Sequence, residues 1–365
     1  MKKYDIIHFE ALGAEAEHLK EKTLEAQKEN KLPQELCSLV TPETLQDFMS
    51  KNPDVELPDL ITTKTHSVLP ADYLNSGSKK SIITRSAGYD HFETLADIAN
   101  ITSLRNYCVN SVAQTAIKLM YATCGLLNHY ENNTQTFERN KALSFMEFGK
   151  HRTATVFGVG KIGKKIYDLV EASGLSVQAV DVRADELDVL YNHTVNFVTK
   201  EQAIANSDII INAMNLTRIL GSKFYNQNYF SKEVLHKAKP GLMFINVTRG
   251  EIAPESALLE LYDEGIIRGI GVDVFSSEND FSKELVGQMH TNNKDILAGK
   301  EMLKRSIERT ANIYVQPHQA FNSDLAAESK AADTIKHVEE WYHNNKEHFD
   351  EQLPYYVEDD HIDIA

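Results

Sequence analysis

The segment Gly158–Gly163 constrains the fold more than any other part of the chain, because it has the glycine spacing GxGxxG. It follows an apolar run, Thr153–Phe157, which is typical of a buried strand. Val177–Val180 reads as the next strand and ends at Asp181. Between these strands the apolar residues have helical spacing, namely Ile162, Ile166, Leu169 and Val170. The pattern predicts a strand–turn–helix–strand unit and therefore a parallel sheet, with Gly174 at the end of the helix.

Each glycine of this turn has a distinct use if the turn binds a dinucleotide. Gly158 permits the tight turn, Gly160 leaves room for a pyrophosphate to approach the backbone, and Gly163 lets the helix pack closely on the strand. The N-terminus of the helix favours the negative charge. Asp181 is placed to bind the adenosine ribose hydroxyls and to repel a 2′-phosphate, which favours NAD over NADP. Arg183 weakens that preference, since a nearby arginine can accept the 2′-phosphate.

The residues of the turn also allow two other interpretations. A glycine-rich turn without a ligand does not account for the flanking strands, the helix and the acidic residue together. A P-loop would use Gly158, Gly163 and Lys164 as GxxxxGK, but Lys165 stands where the magnesium-binding Ser or Thr is required. The dinucleotide interpretation is therefore preferred.

The rest of the chain also alternates strand-like and helical segments, which predicts an α/β protein with parallel sheets. With 365 residues the chain is too long for one compact core and fits two domains. A helix is expected to begin at Thr41, with Thr41 as N-cap and Pro42 at the first helical position. Long helices are predicted over Ser111–Leu127 and Asp324–His343. The remaining strands are predicted at Tyr4–Phe9, Glu35–Val40, Leu60–Thr63, Ser81–Thr84, Ile101–Leu104, Asp208–Asn212, Leu242–Asn246, Ile266–Val274 and Asn312–Val315.

Charge and cysteine content exclude several classes of function. A formal charge of −15 argues against nucleic-acid binding and against acidic membrane surfaces, because both need a basic surface. The three widely spaced cysteines, Cys37, Cys108 and Cys124, indicate a reducing cytoplasm without a disulfide framework. No Cys/His cluster has zinc-site spacing, so no metal is expected. The N-terminus lacks a signal-peptide core and no run approaches the ~20 apolar residues of a membrane helix, so a cytoplasmic location is expected.

Three segments after the dinucleotide turn carry candidate chemistry. A buried strand that starts at Leu242 leads to Arg249, whose guanidinium would lie at the carboxyl edge of the sheet and could bind a carboxylate. The second segment, Gly269–Glu278, is a strand that ends in acids, although a lone Glu is more often a solvated loop residue. His318 follows a strand and a proline, which suits a general acid because imidazole titrates near neutral pH. Singly, Arg249 and His318 have equally plain interpretations as surface and structural residues.

Taken together and in order, these segments resemble the D-isomer-specific 2-hydroxyacid dehydrogenases. The resemblance covers Thr84–Asp90, Asn106–Ala113 and everything from Gly149 to Phe321. The run from His318 to Phe321 and the long stretch after Glu278 are most similar to the fermentative D-lactate dehydrogenase branch.

The resemblance implies a role for each candidate residue. Arg249 would bind the substrate carboxylate and polarise the carbonyl, His318 would donate the proton in ketone reduction, and Glu278 would pair with His318. Ala87 and Gly88 would bind the carboxylate through backbone N–H groups, and Tyr107 would line the substrate pocket. The implied cofactor-binding residues are Gly158, Gly160, Lys161, Ile162, Gly163, Asp181, Met214, Asn215, Val247, Thr248 and Asp273, with Asp273 holding the nicotinamide carboxamide.

The chain departs from the family pattern at three places. Asn215 stands where a proline usually precedes Leu-Thr, which puts the local geometry beside the cofactor in doubt. Asn279–Asp280 replaces the more usual proline after Glu278, and Val247–Thr248 replaces the common pair of small residues before the arginine. None of the three departures removes a chemical group that the mechanism needs.

The family architecture implies two doubly wound parallel-sheet domains, with a Rossmann dinucleotide-binding domain inserted in a flavodoxin-like substrate domain. Residues 1–110 and 322–365 would form the substrate domain and residues 111–321 the NAD-binding domain. The implied protein is a homodimeric, NAD-dependent D-2-hydroxyacid dehydrogenase that acts on pyruvate or a similar small 2-oxo acid. Which 2-oxo acid is preferred is left open, and the D stereochemistry comes from the resemblance alone.

Two other classes of function were considered. One is an NAD(H)-sensing interaction protein of the same fold, similar to a corepressor, with little turnover; such proteins retain Arg249, Glu278 and His318, but no low-complexity partner-binding tail is present. The other is an enzyme that transfers no hydride, which would have little use for Asp273 and His318 together.

Overall fold

The computed structural model describes residues 3–139 and 143–355, and its contacts divide the chain into two compact units. The first unit contains the described residues up to Cys108 and from Asn322 onwards, and the second runs from Val109 to Phe321. The domain boundaries expected from the sequence lie after residues 110 and 321. One segment of the first unit therefore precedes the second unit in the chain and another follows it.

The first unit is built on a five-stranded parallel sheet with the order β2-β1-β3-β4-β5. This is the flavodoxin-like order that the sequence analysis expects. The strands in the centre of the sheet are fully buried and rich in β-branched residues, as expected where helices cover both faces. Its strands are β1 (Ile6–His8), β2 (Ser38–Val40), β3 (Leu60–Thr63), β4 (Lys80–Thr84) and β5 (Ala99–Ser103), and its first helices are α1 (Gly13–Lys28), α2 (Leu45–Lys51) and α3 (Ala71–Leu74).

The start predicted for α2 is wrong, because Thr44 and not Thr41 is the N-cap. The carbonyl of Glu43 accepts a hydrogen bond from the N–H of Glu10 (2.8 Å). The carbonyl of Thr41 accepts one from the N–H of Ala11 (3.0 Å). Because these bonds hold the backbone of residues 41–43 against the segment after β1, the helix cannot begin before Thr44.

The second unit is built on a six-stranded parallel sheet with the order β11-β10-β9-β8-β6-β7. Its helices are α4 (Val109–Cys124), α5 (Leu127–Thr134), α6 (Lys161–Ala172), α7 (Ala184–Leu190), α8 (Lys200–Asn206), α9 (Lys232–Leu235), α10 (Glu255–Asp263), α11 (Glu278–Leu285) and α12 (Lys294–Ile307). Its strands are β6 (Thr153–Phe157), β7 (Ser176–Val180), β8 (Ile209–Asn212), β9 (Leu242–Asn246), β10 (Ile267–Val272) and β11 (Ile313–Val315).

A single bridge beside β7 completes the Rossmann order in this sheet. Phe197 pairs in parallel with Ala179 on the side of β7 that faces away from β6. If Phe197 counts as the third strand, then Phe197, β7, β6, β8, β9 and β10 have the order 3-2-1-4-5-6 of dinucleotide-binding sheets, and β11 adds a seventh strand beside β10. The strand order reverses between β6 and β8, and ligands bind at the carboxyl ends of strands at such a point.

Helix α4 lies directly on the second sheet, which explains the apolar run predicted as a long helix. A Cβ on Gly271 of β10 would lie 3.0 Å from Cβ of Leu119, so the glycine permits the close contact. The sequence predicts that this helix ends at Leu127, but it ends at Cys124. Leu126 adopts a left-handed conformation with φ of 53°, which interrupts the helix. A new helix, α5, starts from that turn.

The chain returns to the first unit with α13 (Ala326–His343), which packs on α1 through buried apolar side chains. Among the helices of residues 3–139 and 143–355, none combines the length and apolar character needed to cross a bilayer. Cys37, Cys108 and Cys124 are free thiols, and the last two are buried.

Candidate active site

The three glycines of the turn after β6 differ in what surrounds them. Gly158 has a φ of 81°, and a Cβ there would lie 2.7 Å from Cα of Met214. A Cβ on Gly163 would lie 1.8 Å from the carbonyl oxygen of Gly158. A Cβ on Gly160, the N-cap of α6, would meet no atom within 4 Å. Packing of the chain therefore requires Gly158 and Gly163, whereas Gly160 leaves open space at the N-terminus of the helix.

That open space fits the pyrophosphate of a dinucleotide. Lys161 and Ile162 are the first residues of α6, so their N–H groups belong to the helix end, where donors have no partner within the helix. Such an end binds phosphate through these donors and through the positive end of the helix dipole. The residues present therefore fit the cofactor that the motif predicts.

Asp181 is held rigidly at the end of β7, beside the same turn. Its Oδ2 accepts a hydrogen bond from the N–H of Val159 (2.8 Å), and its Oδ1 accepts one from the N–H of Arg183 (3.0 Å). The guanidinium of Arg183 lies 3.8 Å from Asp181 and 3.3 Å from the carboxylate of Glu186. The arginine that could favour a 2′-phosphate thus lies between two acids, which supports the preference for NAD.

A network of buried amides joins the carboxyl ends of β8 and β9, and the sequence analysis did not identify it. The Nδ2 of Asn212 donates to Oδ1 of Asn246 (3.0 Å) and to Oγ1 of Thr248 (2.9 Å). The N–H of Met214 donates to Oδ1 of Asn212 (3.1 Å). The Nδ2 of Asn246 donates to the carbonyl of Arg249 (2.9 Å). The network therefore ties the segment at Met214 to the segment that carries Thr248 and Arg249.

Asn226 stabilises the backbone at Asn215, where the family commonly has proline. The Nδ2 of Asn226 donates to the carbonyl of Asn215 (2.7 Å), and its Oδ1 accepts from the N–H of Thr217 (2.9 Å). The local geometry that the substitution put in doubt is thus maintained by a side chain eleven positions further on. Only the tertiary fold brings Asn226 to this place.

Arg249 lies just beyond β9, as predicted, and is half-buried. Its Nη1 donates to the carbonyl of Thr248 (2.9 Å). Val247, which precedes Thr248, is buried, and Gly250, which follows Arg249, packs against the backbone of Phe275. The backbone on both sides of Arg249 is therefore fixed.

His318 and Glu278 form a close pair, although they come from separate segments of the chain. The Nδ1 of His318 lies 2.7 Å from Oε2 of Glu278, and Oε1 of Glu278 accepts from the N–H of Phe275 (3.2 Å). Glu278 is the first residue of α11 and not a loop residue. His318 has a φ of 53°, a conformation that is uncommon for residues other than glycine and that is found at functional sites.

Asp273, at the end of β10, holds the histidine loop in this strained conformation. Its side chain is fully buried. Its Oδ1 accepts from the N–H of Gln319 (3.0 Å) and its Oδ2 from the N–H of Ala320 (2.9 Å), while its carbonyl accepts from the N–H of His318 (2.7 Å). Burial raises the pKa of Asp273, and the Glu278 carboxylate adds to this effect. The support that Asp273 gives to the histidine loop is a role that the sequence analysis missed.

The predicted substrate residues Ala87, Gly88 and Tyr107 belong to the first unit. Ala87 and Gly88 follow β4 and Tyr107 follows β5, so all three leave the same edge of the parallel sheet. The hydroxyl of Ser86 donates to the carbonyl of Gly88 (2.6 Å) and stabilises the loop. The ring of Tyr107 lies 5.0 Å from Nζ of Lys330, on α13. In residues 3–139 and 143–355, His, Cys, Asp and Glu side chains form no group of three that could hold a metal ion.

Comparison with known families identifies the second unit. The family model for the NAD binding domain of D-isomer specific 2-hydroxyacid dehydrogenases matches residues 117–320.

Individual relatives are distant in sequence. A glycerate dehydrogenase of Methylorubrum extorquens is 27% identical over 269 residues, which is 71% of this chain and 75% of the relative. A D-specific alpha-keto acid dehydrogenase of Enterococcus faecium is 25% identical over 272 residues, which is 72% of this chain and 76% of the relative. A D-lactate dehydrogenase from Aquifex aeolicus, solved with NAD and lactic acid, superposes with a TM-score of 0.73 at 19% identity. That superposition covers 97% of this chain and 100% of the other, and at this identity it shows a common fold.

Proposed function

The chain belongs to the D-isomer-specific 2-hydroxyacid dehydrogenases and carries their NAD-binding domain, and from this premise we propose that it reduces a small 2-oxo acid to the D-2-hydroxy acid. Pyruvate is the first candidate substrate, which would make the chain a D-lactate dehydrogenase. The observation that carries the proposal is the pair formed by His318 and Glu278, in the same unit as Arg249 and the dinucleotide turn. An acid, a carboxylate-binding cation and a cofactor site are the three elements that this reduction needs.

His318 acts as the general acid. Since Nδ1 is engaged by Glu278 at 2.7 Å, the proton is donated from Nε2, on the opposite edge of the ring. Glu278 itself accepts a hydrogen bond from the N–H of Phe275 (3.2 Å), so the carboxylate has a fixed position from which it orients the imidazole ring of His318. The proton from Nε2 goes to the carbonyl oxygen of the 2-oxo acid as that oxygen gains negative charge.

Arg249 binds the substrate carboxylate through paired hydrogen bonds, a geometry that suits the planar guanidinium. The amide network through Asn246 fixes its backbone, so little conformational freedom is lost when the substrate binds. The family resemblance assigns substrate binding to Ala87 and Gly88 as well, through their backbone N–H groups, and both belong to the first unit. Orientation of this kind is worth several kcal/mol of barrier.

The turn Gly158–Gly163 and the start of α6 would hold the pyrophosphate of the cofactor, and Asp181 would hold the adenosine ribose. NADH, when bound, supplies the hydride for the carbonyl carbon. The family resemblance assigns cofactor contacts to Met214, Asn215 and Val247 as well, and Met214 lies directly against Gly158 of the turn.

We also propose a homodimer in the cytoplasm. Apolar side chains on and after α4 are exposed in the single chain, among them Tyr121 (49%), Leu127 (49%) and Phe145 (57%), and a second copy would bury them. The free thiols support a reducing compartment.

The test is NADH oxidation, followed by absorbance, with pyruvate, 2-oxobutyrate, phenylpyruvate, 4-methyl-2-oxopentanoate, hydroxypyruvate and glyoxylate. We expect one clearly preferred substrate, and we expect His318→Gln to lower kcat by about 100-fold or more while NADH still binds. His337→Gln is the matched control, because His337 lies 2.7 Å from Glu340 in the same kind of pair, on α13, which belongs to the first unit. No turnover on any of the six acids, with NADH bound tightly, would instead favour the NAD(H)-sensing protein.

A further inference from the structure

The chain that follows α13 runs along β5, the edge strand of the first sheet, and we name its segment Glu347–Tyr355 the C-terminal strap. The strap follows the strand in the same direction and covers the free edge, which would otherwise expose unpaired backbone groups. The hydrogen bonds that join the strap to the strand follow the order of the chain and include those of Asn100 Nδ2 to the carbonyl of Glu347 (2.6 Å), Leu353 N–H to the carbonyl of Ile101 (2.8 Å) and Ser103 N–H to Oη of Tyr355 (2.6 Å).

Apolar anchors hold the strap in place. Phe349 is 2% exposed and packs in the core between α1 and α13. Leu353 is 3% exposed and packs in the core on the other face of the sheet. The position of Tyr355, two residues after Leu353, is therefore set by buried contacts.

Tyr355 contacts both segments that carry the predicted substrate residues of the first unit. Its ring lies edge-on to the ring of Tyr89, with centroids 5.0 Å apart, and Tyr89 directly follows Gly88. The guanidinium of Arg105, two residues before Tyr107, lies 4.3 Å from the centroid of the Tyr355 ring. The Oη of Tyr355 also lies 2.9 Å from Oγ of Ser103, at the end of β5.

We propose that Tyr355 is a positioning residue for the 2-oxo acid, holding the loop at Gly88 and the segment at Tyr107 in the arrangement that receives the substrate. The inference rests on the proposed function, because that proposal assigns substrate binding to these two segments. The loop at Gly88 binds through backbone N–H groups, so its effect depends on where the backbone is held and not on a side chain of its own. Tyr355 provides that support from a part of the sequence that matches no motif.

The test compares Tyr355→Ala and Tyr355→Phe with the wild type. Removal of the ring should raise KM for the preferred 2-oxo acid about tenfold, because the loop at Gly88 loses the edge-on contact that holds its backbone. The value of kcat should change much less, and the Kd for NADH should not change, because the cofactor residues lie in the second unit. Tyr355→Phe keeps the ring against Tyr89 and should restore most of the lost affinity.

Phe349→Leu is the matched control, because it weakens the same strap by removing packing that does not involve the loop at Gly88. It should lower the free energy of unfolding and leave KM as in the wild type. An unchanged KM in Tyr355→Ala would overturn the proposal, and so would an equal rise of KM in Phe349→Leu.

A second measurement separates this proposal from the proposed function. Hydrogen exchange over residues 86–90 and 103–107 should be faster in Tyr355→Ala than in the wild type, whether or not any 2-oxo acid is reduced. Unchanged exchange in both segments would refute the role of Tyr355 alone, whereas absence of turnover in the wild type would refute the dehydrogenase alone.

Discussion

Glu255 is a carboxyl group buried between the segments that carry Arg249 and Glu278. Its side chain is 3% exposed, and its Oε1 accepts from the N–H of Ser276 (2.6 Å). Its Oε2 has no hydrogen-bond partner among the residues that the structure describes. Burial raises the pKa of Glu255 from its ordinary value of 4.5 to about 7. The buried carboxyl group of Glu255 is therefore mainly protonated below about pH 7.

We predict that Glu255→Gln changes how stability depends on pH. Because the pKa of Glu255 is raised on folding, its contribution to stability is present below about pH 4.5 and is lost as the pH rises through about 7. The glutamine keeps the acceptor for Ser276 but does not ionise. We therefore expect the free energy of unfolding of the variant, minus that of the wild type, to be larger at pH 8 than at pH 5 when both are measured in urea.

Glu284→Gln serves as a control that should show no pH effect in this range. A hydrogen bond from Lys300 (2.6 Å) lowers the pKa of Glu284, so the contribution of its carboxylate is present above the ordinary pKa of 4.5, at both pH 5 and pH 8, and is lost only at lower pH. A stability difference between wild type and Glu255→Gln that does not vary between pH 5 and pH 8 would contradict the buried protonated carboxyl.

At the scale of single residues, the sequence predicted groups that carry chemistry and missed groups that support them. Motif order singled out His318 and Glu278, and the structure has the two side chains 2.7 Å apart, although their catalytic roles stay predictions. Asn246, Glu255 and Tyr355 gave no signal, because an asparagine after a strand, a glutamate at the start of a helix and a tyrosine near a terminus are common. Their importance arises only from the tertiary contacts that surround them.

Among the elements, buried parallel strands were the easiest to predict. Leu60–Thr63, Thr153–Phe157 and Leu242–Asn246 are continuous apolar or β-branched runs, and their observed bounds equal the predicted ones. The start of α2 was wrong because backbone bonds to the segment after β1 override a local capping signal. The end of α4 was wrong because apolar composition continues beyond the left-handed turn at Leu126.

The strand–turn–helix element offers a prediction that separates packing from ligand binding. In Gly163→Ala the new Cβ would overlap the carbonyl oxygen of Gly158, so α6 must shift, at a cost of about 1–3 kcal/mol of stability. In Gly160→Ala the Cβ enters open space, so stability should stay within about 0.5 kcal/mol of the wild type. NADH should nevertheless bind at least about tenfold more weakly to Gly160→Ala, since the methyl group occupies the space predicted for the pyrophosphate.

Urea unfolding and NADH fluorescence titration together check the glycine pair. Gly158, whose φ is 81°, is not a useful comparison because any side chain there is strained. A Gly160→Ala protein that binds NADH with wild-type affinity would show that the pyrophosphate does not lie against this glycine.

For the whole molecule, the division into two units predicts which part of the chain is stabilised when NADH binds. NADH at 100 times its Kd should stabilise the unit that binds it by about 2.7 kcal/mol. Hydrogen exchange should therefore slow in β6, β7 and the turn at Gly158–Gly163 when NADH is added, with little change in β1 to β5. Protection confined to the sheet of the first unit would contradict the assignment of the cofactor to residues 111–321.

The order of the segments also has a consequence for synthesis on the ribosome. The first sheet is complete in sequence by Ser103, but α13 and the C-terminal strap, which cover α1 and the edge of β5, emerge only after the whole second unit. The second unit can therefore fold while the nascent first unit still exposes an apolar helix face and an open strand edge. The residues of the first sheet are thus translated before the second unit but reach their final packing after it, and during that interval the chain is most open to misassembly.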